Sequence, residues 1–394
     1  MPNLHGVNVT EINEGISTVR TSSSSVIGVI GTAPDAIAAD FPLNTPILIP
    51  GSLTEAAKLG TTGTLPAAVK GIMDQTGAMI VIVRVAEGVA SGEGNEAITA
   101  AEATITNVIG SVSVSGEYSG VYSFLASKSI LGVTPRILCA PGFSTQEVVT
   151  ELVSIAERLR AIIVADCPGN ATNAELQSFV TNCASSRVYA VYPEVINTKN
   201  ATVPASSYVA GVIAKTDNDD GFWVSPSNKT INGIIGLSKP IDFTLGDASC
   251  RANYLNEQKI TTIINQNGYR LWGNRSTAGT GSYEFLCVRR TADVICDSIL
   301  QSHLWAVDRN IVKNYLTDVT ESVNAFLATL KSQGAILAGK CIPNKELNTA
   351  QNITEGKVYF DFEFTPAYPA EQVTFRAYLN NDDIEAVLTE SLAS

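Results

Sequence analysis

Short apolar runs alternate with helical patterns along much of this chain, and that alternation limits the folds it can adopt. Residues 26–30 and 78–85 are continuous apolar runs, as expected for strands that are buried on both faces. The following elements are predicted, in order: strand 137–140, helix 145–158, strand 161–165, helix 173–184, strand 188–192 and helix 206–214. This spacing predicts right-handed βαβ units and a mostly parallel sheet covered by helices.

The pattern changes after residue 240. There we predict a helix at 250–257, a hairpin at 260–272 and helices at 292–303 and 318–331. Apolar and polar residues then alternate over 358–365 and again over 373–379, which predicts two half-buried strands. Helices followed by strands are typical of an α+β unit.

The length of the chain indicates more than one folded body. Its 394 residues exceed the roughly 250–300 at which a single core stops growing. We predict an N-terminal arm at 1–22, an α/β domain at 23–240, an α+β domain at 241–370 and a C-terminal strand or arm at 371–394. The N-terminal arm alternates apolar and polar residues but is too short to have a core of its own.

Composition excludes several classes of partner. Acidic residues number 38 and basic residues 26, and the net charge of −12 repels nucleic acid and anionic lipid. We therefore expect neither nucleic acid nor membrane as a partner. Residues 1–15 lack the basic and apolar regions of a secretion signal, so we expect a cytoplasmic site of synthesis. Only 16% of the residues are charged, and a weakly charged surface suits packing between copies.

The histidines do not support nucleophilic catalysis. A serine protease needs a histidine within reach of both a serine and a carboxylate. The chain has only His5, in the N-terminal arm, and His303, in an apolar segment outside the α/β domain. A Gly-x-Ser-x-Gly turn is absent from the sequence. We therefore assign no catalytic residue.

Cys167 follows a predicted strand, at the edge where α/β folds bind ligands. No histidine stands in this domain to activate its thiol. We therefore favour helix-capping and turn roles for its neighbours Asp166, Pro168 and Gly169.

Other short motifs fail as binding sites. The acidic segment 217–221 has Phe222 and Asn228 where a calcium loop needs glycine and glutamate, so we interpret it as a solvated turn. Residues 279–282 lack the lysine of a phosphate-binding loop. The seven cysteines are scattered without a CxxC pair, as expected for reduced buried thiols. We predict no metal site and no cofactor.

Several segments together resemble the contractile tail sheath family. In chain order they are PRILCAPG (135–142), ADCPG (165–169), SRVYAVYP (186–193), GFWVSPSN (221–228), GYRLWGNR (268–275) and PAE (369–371). Their order and spacing cover roughly residues 25–380.

The resemblance implies a structural subunit of a myophage or R-type bacteriocin tail, with the choice between these two left open. Such subunits form hexameric rings stacked around a tube, and they contract to drive the tube through a cell envelope. The resemblance implies an outer α/β domain, similar to a non-catalytic, subtilisin-like layered sheet, and an inner C-terminal α+β domain. The implied partners are other copies, the tail tube, and the baseplate and tail terminator proteins, in a tail particle or virion assembled in the bacterial cytoplasm.

Two sets of contact residues follow as hypotheses. Strand exchange between subunits through both arms is assigned to apolar arm residues, which are Val7, Val9, Ile12, Val373, Phe375 and Leu379. Contact with the tube is assigned to basic residues in an otherwise acidic chain, which are Arg309, Lys313 and Lys331. The alternative function, an α/β hydrolase-like or ligand-binding enzyme, remains open at this point.

Overall fold

The computed structural model describes residues 19–92, 98–381 and 384. The strands are β1 Ile27–Thr32, β2 Pro46–Pro50, β3 Met79–Val85, β4 Ile137–Cys139, β5 Ile162–Asp166, β6 Val188–Val191, β7 Val195–Asn197, β8 Thr202–Val203, β9 Ile234–Leu237, β10 Ile260–Asn265, β11 Tyr269–Trp272, β12 Ile336–Pro343 and β13 Phe360–Pro366. The helices are α1 Leu53–Ala57, α2 Leu65–Met73, α3 Ala100–Ile109, α4 Ser127–Leu131, α5 Gln146–Leu159, α6 Asn173–Asn182, α7 Ser206–Asp219, α8 Arg251–Glu257, α9 Leu286–Ser302, α10 Lys313–Ser332 and α11 Ala350–Thr354.

An eight-stranded sheet, which we call the large sheet, organises the chain up to residue 272. Its strand order is β11-β10-β6-β5-β4-β1-β3-β2. The six inner strands are parallel, and only the two edge strands, β11 and β2, pair antiparallel with their neighbours. The predicted mostly parallel sheet is confirmed.

Both faces of the large sheet are covered, which explains why its strands are continuously apolar. In β3, Ile80 and Ile82 belong to one buried cluster, while Val81 and Val83 belong to the cluster on the opposite face. Successive side chains of a strand point to opposite faces, so a strand between two helical layers needs apolar residues at every position.

The structure corrects three parts of the predicted organisation. Strand β2 and helix α3 were not predicted. The boundary at residues 240/241 does not match the sheet, because β10 pairs with β6 and brings the 260–272 hairpin into the large sheet. The acidic segment 217–221 does not begin as a solvated turn, since Asp217 lies near the end of α7 and its side chain is buried.

A second, smaller unit follows α9. Strands β12 and β13 form a two-stranded antiparallel sheet, the small sheet, whose inner face packs on α10. The buried cluster here includes Leu327 and Leu330 of α10 and Ile336 and Cys341 of β12. The predicted α+β character is confirmed, although α10 begins at Lys313 rather than at residue 318.

Helix α9 attaches to the large-sheet body through ion pairs. Arg136 and Arg187, which immediately precede β4 and β6, pair with Asp297 and Asp293 of α9. Arg290 of α9 pairs with Asp217 of α7. All of these side chains are largely buried. The junction is therefore held by buried charges, in contrast to the apolar cores of the two bodies.

The chain after β13 differs from the prediction. Residues 367–381 have no regular secondary structure, and residues 370–381 are exposed. The predicted half-buried strand at 373–379 is therefore wrong for the isolated chain. Within the described ranges, no helix has the length and apolar character needed to cross a membrane.

Candidate subunit interface

The small sheet has only two strands, so each strand has an outer edge. Within residues 19–92 and 98–381, no third strand pairs with β12 or β13. Unpaired strand edges present rows of N–H and C=O groups that can pair with another chain. This part of the molecule is therefore the candidate acceptor for a strand from elsewhere.

The inner face of the small sheet is incompletely covered. Phe360, Phe362 and Phe364 alternate along β13 and pack against the buried cluster under α10, but each remains partly exposed. The opposite face is mixed: Lys340 lies directly across from Glu363, and the exposed Ile342 lies across from Asp361. A half-covered row of aromatic side chains is consistent with further packing in an assembly.

The two outer edges are not equivalent. The side chain of Asn324, on α10, reaches the backbone of Cys341 in β12. Its Nδ2 donates to the Cys341 carbonyl at 3.1 Å, and the Cys341 N–H donates to its Oδ1 at 2.7 Å. A strand pairing with β12 at this point would have to displace Asn324. Sequence reasoning missed this residue because nothing in its helical pattern distinguishes it.

Exposed apolar side chains follow the small sheet along the chain. Val373, Phe375 and Leu379 have relative exposures of 67%, 91% and 92%. Burying a side chain of this kind is worth about 1.5–3 kcal/mol, so leaving three in water is costly. The corresponding N-terminal residues, Val7, Val9 and Ile12, lie outside the described residues.

The three residues predicted to contact a tube do not form one cluster. Lys313 opens α10 and Lys331 lies near its other end, about 27 Å away at 1.5 Å per residue. Arg309 lies just before α10, with its guanidinium 5.0 Å from the centre of the Trp305 ring. All three are exposed. The structure therefore places Arg309 and Lys313 near one end of α10 and Lys331 near the other.

The rejected catalytic residues have structural partners. His303 ends α9, and its Nδ1 lies 2.7 Å from the Ile299 carbonyl. Burial raises the pKa of the Cys167 thiol well above its ordinary value, and the nearby Asp166 raises it further, so the thiol is protonated at neutral pH. Neither arrangement creates a nucleophile. His5 lies outside the described residues.

Asp166 does cap a helix, but not the one that follows it in sequence. Its carboxylate accepts hydrogen bonds from the Ser206 N–H at 2.8 Å and the Ser206 hydroxyl at 2.5 Å, at the start of α7. Helix α6 is instead capped by Thr172. Burial raises the pKa of Asp166 to about 6, although the bonds from Ser206 oppose the shift.

The acidic segment at the end of α7 is held by ion pairs. Asp217 pairs with Arg290, and Asp220 pairs with Lys229 at 2.8 Å. Across the part of the chain that the structure describes, no group of three or more acidic, histidine or cysteine side chains is placed to hold a metal ion.

Known family models match most of the chain, in three stretches. Residues 116–277 match the phage tail sheath protein central domain, and residues 280–380 match the phage tail sheath C-terminal domain. Residues 24–85 match the N-terminal region of domain III of the tail sheath protein Gp18. The central and C-terminal family models divide at about residues 277–280, shortly after β11, the strand with which the large sheet ends along the chain.

Curated relatives extend over the same length. A putative prophage major tail sheath protein of Pseudomonas aeruginosa (strain UCBPP-PA14) is 40% identical over 390 residues, which cover 98% of each chain. The tail sheath protein of Escherichia phage P2 is 34% identical, again over 98% of each chain.

Solved structures share the fold. The helical sheath of the anti-feeding prophage in its contracted state superposes with a TM-score of 0.70, at 18% identity, over 96% of this chain and all of the other. The contracted sheath complex of an extracellular contractile injection system, PVC, gives 0.68 at 17% identity, over 97% and 99% of the two chains. The family matches and the curated relatives show that the chain belongs to the phage tail sheath family: it is a structural protein of the tail sheath and not an enzyme.

Proposed function

We propose that this chain polymerises as hexameric rings stacked around a tail tube and contracts to drive the tube through a cell envelope. The partners in this proposal are further copies of the chain, the tail tube protein, and the baseplate and tail terminator proteins. Assembly takes place in the bacterial cytoplasm, and the product is a tail particle or virion. Neither nucleic acid nor a membrane is a partner of this subunit.

Strand exchange between subunits holds the polymer together in this proposal. The observation that supports it is that one chain contains both an acceptor and a donor. The small sheet has open edges, and the C-terminal arm at 371–394 begins with exposed apolar residues. The first donated strand adds to β13, since Asn324 occupies part of the β12 edge. The donors are the arm residues Val7, Val9, Ile12, Val373, Phe375 and Leu379.

The expected energy of this exchange is sufficient for a stable link. A donated strand of five residues forms about five backbone hydrogen bonds at roughly 1 kcal/mol net each. Two or three apolar side chains buried with it add about 1.5–3 kcal/mol each. Ordering the arm offsets part of this gain. A flexible arm also lets the link persist while the folded bodies change orientation.

Contact with the tube is proposed to be weaker. Arg309, Lys313 and Lys331 are exposed, and exposed ion pairs contribute about 0–1 kcal/mol each and are screened by salt. Weak contacts would let the sheath release the tube when it contracts. The likeness of the large sheet to the layered sheet of subtilisin is retained as a proposal about architecture, without any catalytic role.

Removal of each arm tests strand exchange. Deletion of residues 1–15, and separately truncation after Glu371, which removes Val373, Phe375 and Leu379, is expected to give a folded, soluble subunit that no longer forms sheath. Circular dichroism checks the fold, and negative-stain microscopy checks for striated cylinders. Normal cylinders from both truncated chains would refute strand exchange through the arms.

A further inference from the structure

Two short motifs, 268–275 and 369–371, meet in the structure although they lie about a hundred positions apart. Arg275, at the end of the first, contacts Glu371, at the end of the second. The guanidinium Nε donates to both carboxylate oxygens at 3.0 and 3.1 Å, and Nη2 donates to Oε2 at 2.6 Å. Such multidentate contact fixes the relative orientation of the two groups.

Surrounding side chains hold Arg275 in this geometry. Its Nη1 donates to Glu284 at 2.5 Å, and its guanidinium lies 4.7 Å from the centre of the Phe285 ring. Phe285 in turn meets the Tyr368 ring edge-to-face at 6.0 Å. Arg275 is therefore positioned by its own neighbours, so Glu371 docks onto a site that is already ordered.

The Arg275–Glu371 contact lies where the chain leaves the small sheet and reaches the large-sheet body. The chain leaves the small sheet with the Ala367 N–H donating to the Ala335 carbonyl, and four residues later Glu371 reaches Arg275. Arg275 lies three residues beyond β11, the last strand of the large sheet. The segment 367–371 therefore runs from the small sheet to the large-sheet body, and the exposed arm begins directly after it.

We propose that the Arg275–Glu371 ion pair anchors the root of the C-terminal arm, so that residues 372–381 leave the subunit in a fixed direction toward a second copy of this chain. The inference rests on the proposed strand exchange and adds how the arm is directed. Anchoring the root reduces the volume that the arm searches and so raises its effective concentration at the neighbour's sheet edge. Arg275 and Glu371 are positioning residues, since neither forms part of the donated strand.

The test uses the full-length chain with Arg275→Ala, Glu371→Ala, the double variant and Arg275→Lys. Lys229→Ala is the matched control, because its ion pair with Asp220 has similar exposure, 39% and 42% against 32% and 39% for Arg275 and Glu371. Hydrogen exchange of the soluble subunit reports on residues 367–371. Sedimentation of polymer at limiting subunit concentration reports on assembly.

Each alanine variant is expected to exchange faster at 367–371 and to lower the polymer yield about threefold to tenfold relative to Lys229→Ala. The double variant should match the worse single variant, because both changes remove one interaction. Arg275→Lys should fall between, because lysine keeps the charge but loses the planar fork. Unfolding midpoints close to that of Lys229→Ala would confirm that the fold is intact.

Unchanged exchange at 367–371, polymer yields equal to the control, or additive losses in the double variant would each overturn the anchor. Truncation after Glu371 separates this failure from that of strand exchange. If the truncated chain forms no sheath while Arg275→Ala assembles normally, only the anchor is wrong. If the truncated chain forms normal sheath, strand exchange through this arm and the anchor both fail.

Discussion

The large and small sheets of this sheath subunit differ in how their edges end. The outer side of β11 is paired with a neighbouring segment: the Asn228 N–H donates to the Leu271 carbonyl at 2.6 Å, and the Leu271 N–H donates to the Lys229 carbonyl at 3.0 Å. The other edge strand, β2, is five residues long with proline at each end. Short, proline-flanked edges discourage pairing between molecules.

Among the described residues, no segment or proline protects the outer edge of β13 in the same way, and the aromatic row of the small sheet is half covered. The two bodies therefore differ in their sheet edges. The edges of the large sheet are protected within one chain, whereas the small sheet has an edge that we expect a neighbouring copy to cover. This comparison predicts that damage to the first will be seen in the isolated subunit and damage to the second chiefly in the polymer.

The largest effect on the isolated subunit is expected where α9 joins the large-sheet body. Arg290→Ala would leave Asp217 charged and buried, with side-chain exposures in the intact pair of 5% and 1%. Breaking a buried pair in this way costs about 3–5 kcal/mol of unfolding free energy. Urea denaturation should show this loss. A cost below about 1 kcal/mol, like that of an exposed pair, would show that the junction does not depend on its charges.

Matched core truncations test the comparison directly. Ile82→Ala, at a fully buried position in β3, is expected to cost the soluble subunit about 2–5 kcal/mol. Phe362→Ala, on half-covered β13, should cost only about 1 kcal/mol in the subunit, since part of its ring is already in water. Polymer yield should show the reverse order among chains that remain folded. If Phe362→Ala assembles normally, the aromatic row has no role between subunits.

A pH effect is expected from the large-sheet body. Because burial raises the pKa of Asp166 to about 6, the folded chain holds this proton more tightly than the unfolded chain, whose Asp titrates near 3.8. The resulting stability is fully present below about pH 4 and is lost as the pH rises through about 6, a change of at most roughly 3 kcal/mol. In Asp166→Asn, the unfolding free energy should no longer show this decrease with pH across the same window. An unchanged slope in the variant would show that Asp166 does not titrate there.

The smallest effect is expected at the tube contact. Charge reversal at Arg309 and Lys313 should weaken tube-templated assembly at low salt by about 0–1 kcal/mol per pair and have no effect at high salt. Assembly on purified tubes at two ionic strengths measures this. If the charge-reversed chain assembles as well as the unmodified chain at low salt, these residues do not contact the tube.

The sequence allowed the buried half of this fold to be predicted, because a strand buried on both faces must be apolar throughout. It was less informative about pairing. The 260–272 hairpin was predicted but assigned to the wrong body, since periodicity does not show which strand lies alongside. β2 was missed because two prolines frame only three other residues, and α3 was missed although Thr99 and Glu102 form a capping box.

The site shows the same limit. The alternation at 373–379 predicted a strand, but a strand needs a partner, and the described part of a single chain supplies none for these residues. Asn324 and the Arg275–Glu371 pair depend on contacts between distant segments. Local sequence carries no signal for either, apart from the family motifs that contain Arg275 and Glu371.

Backbone hydrogen exchange in subunit and polymer tests the central claim most directly. In β11, whose outer edge is already paired, protection should be the same in the two states. In β13, the amides at Phe360, Phe362 and Phe364 should gain at least about tenfold protection on polymerisation, because a strand from another copy covers them. Unchanged protection in β13, or an equal gain in β11, would contradict the account.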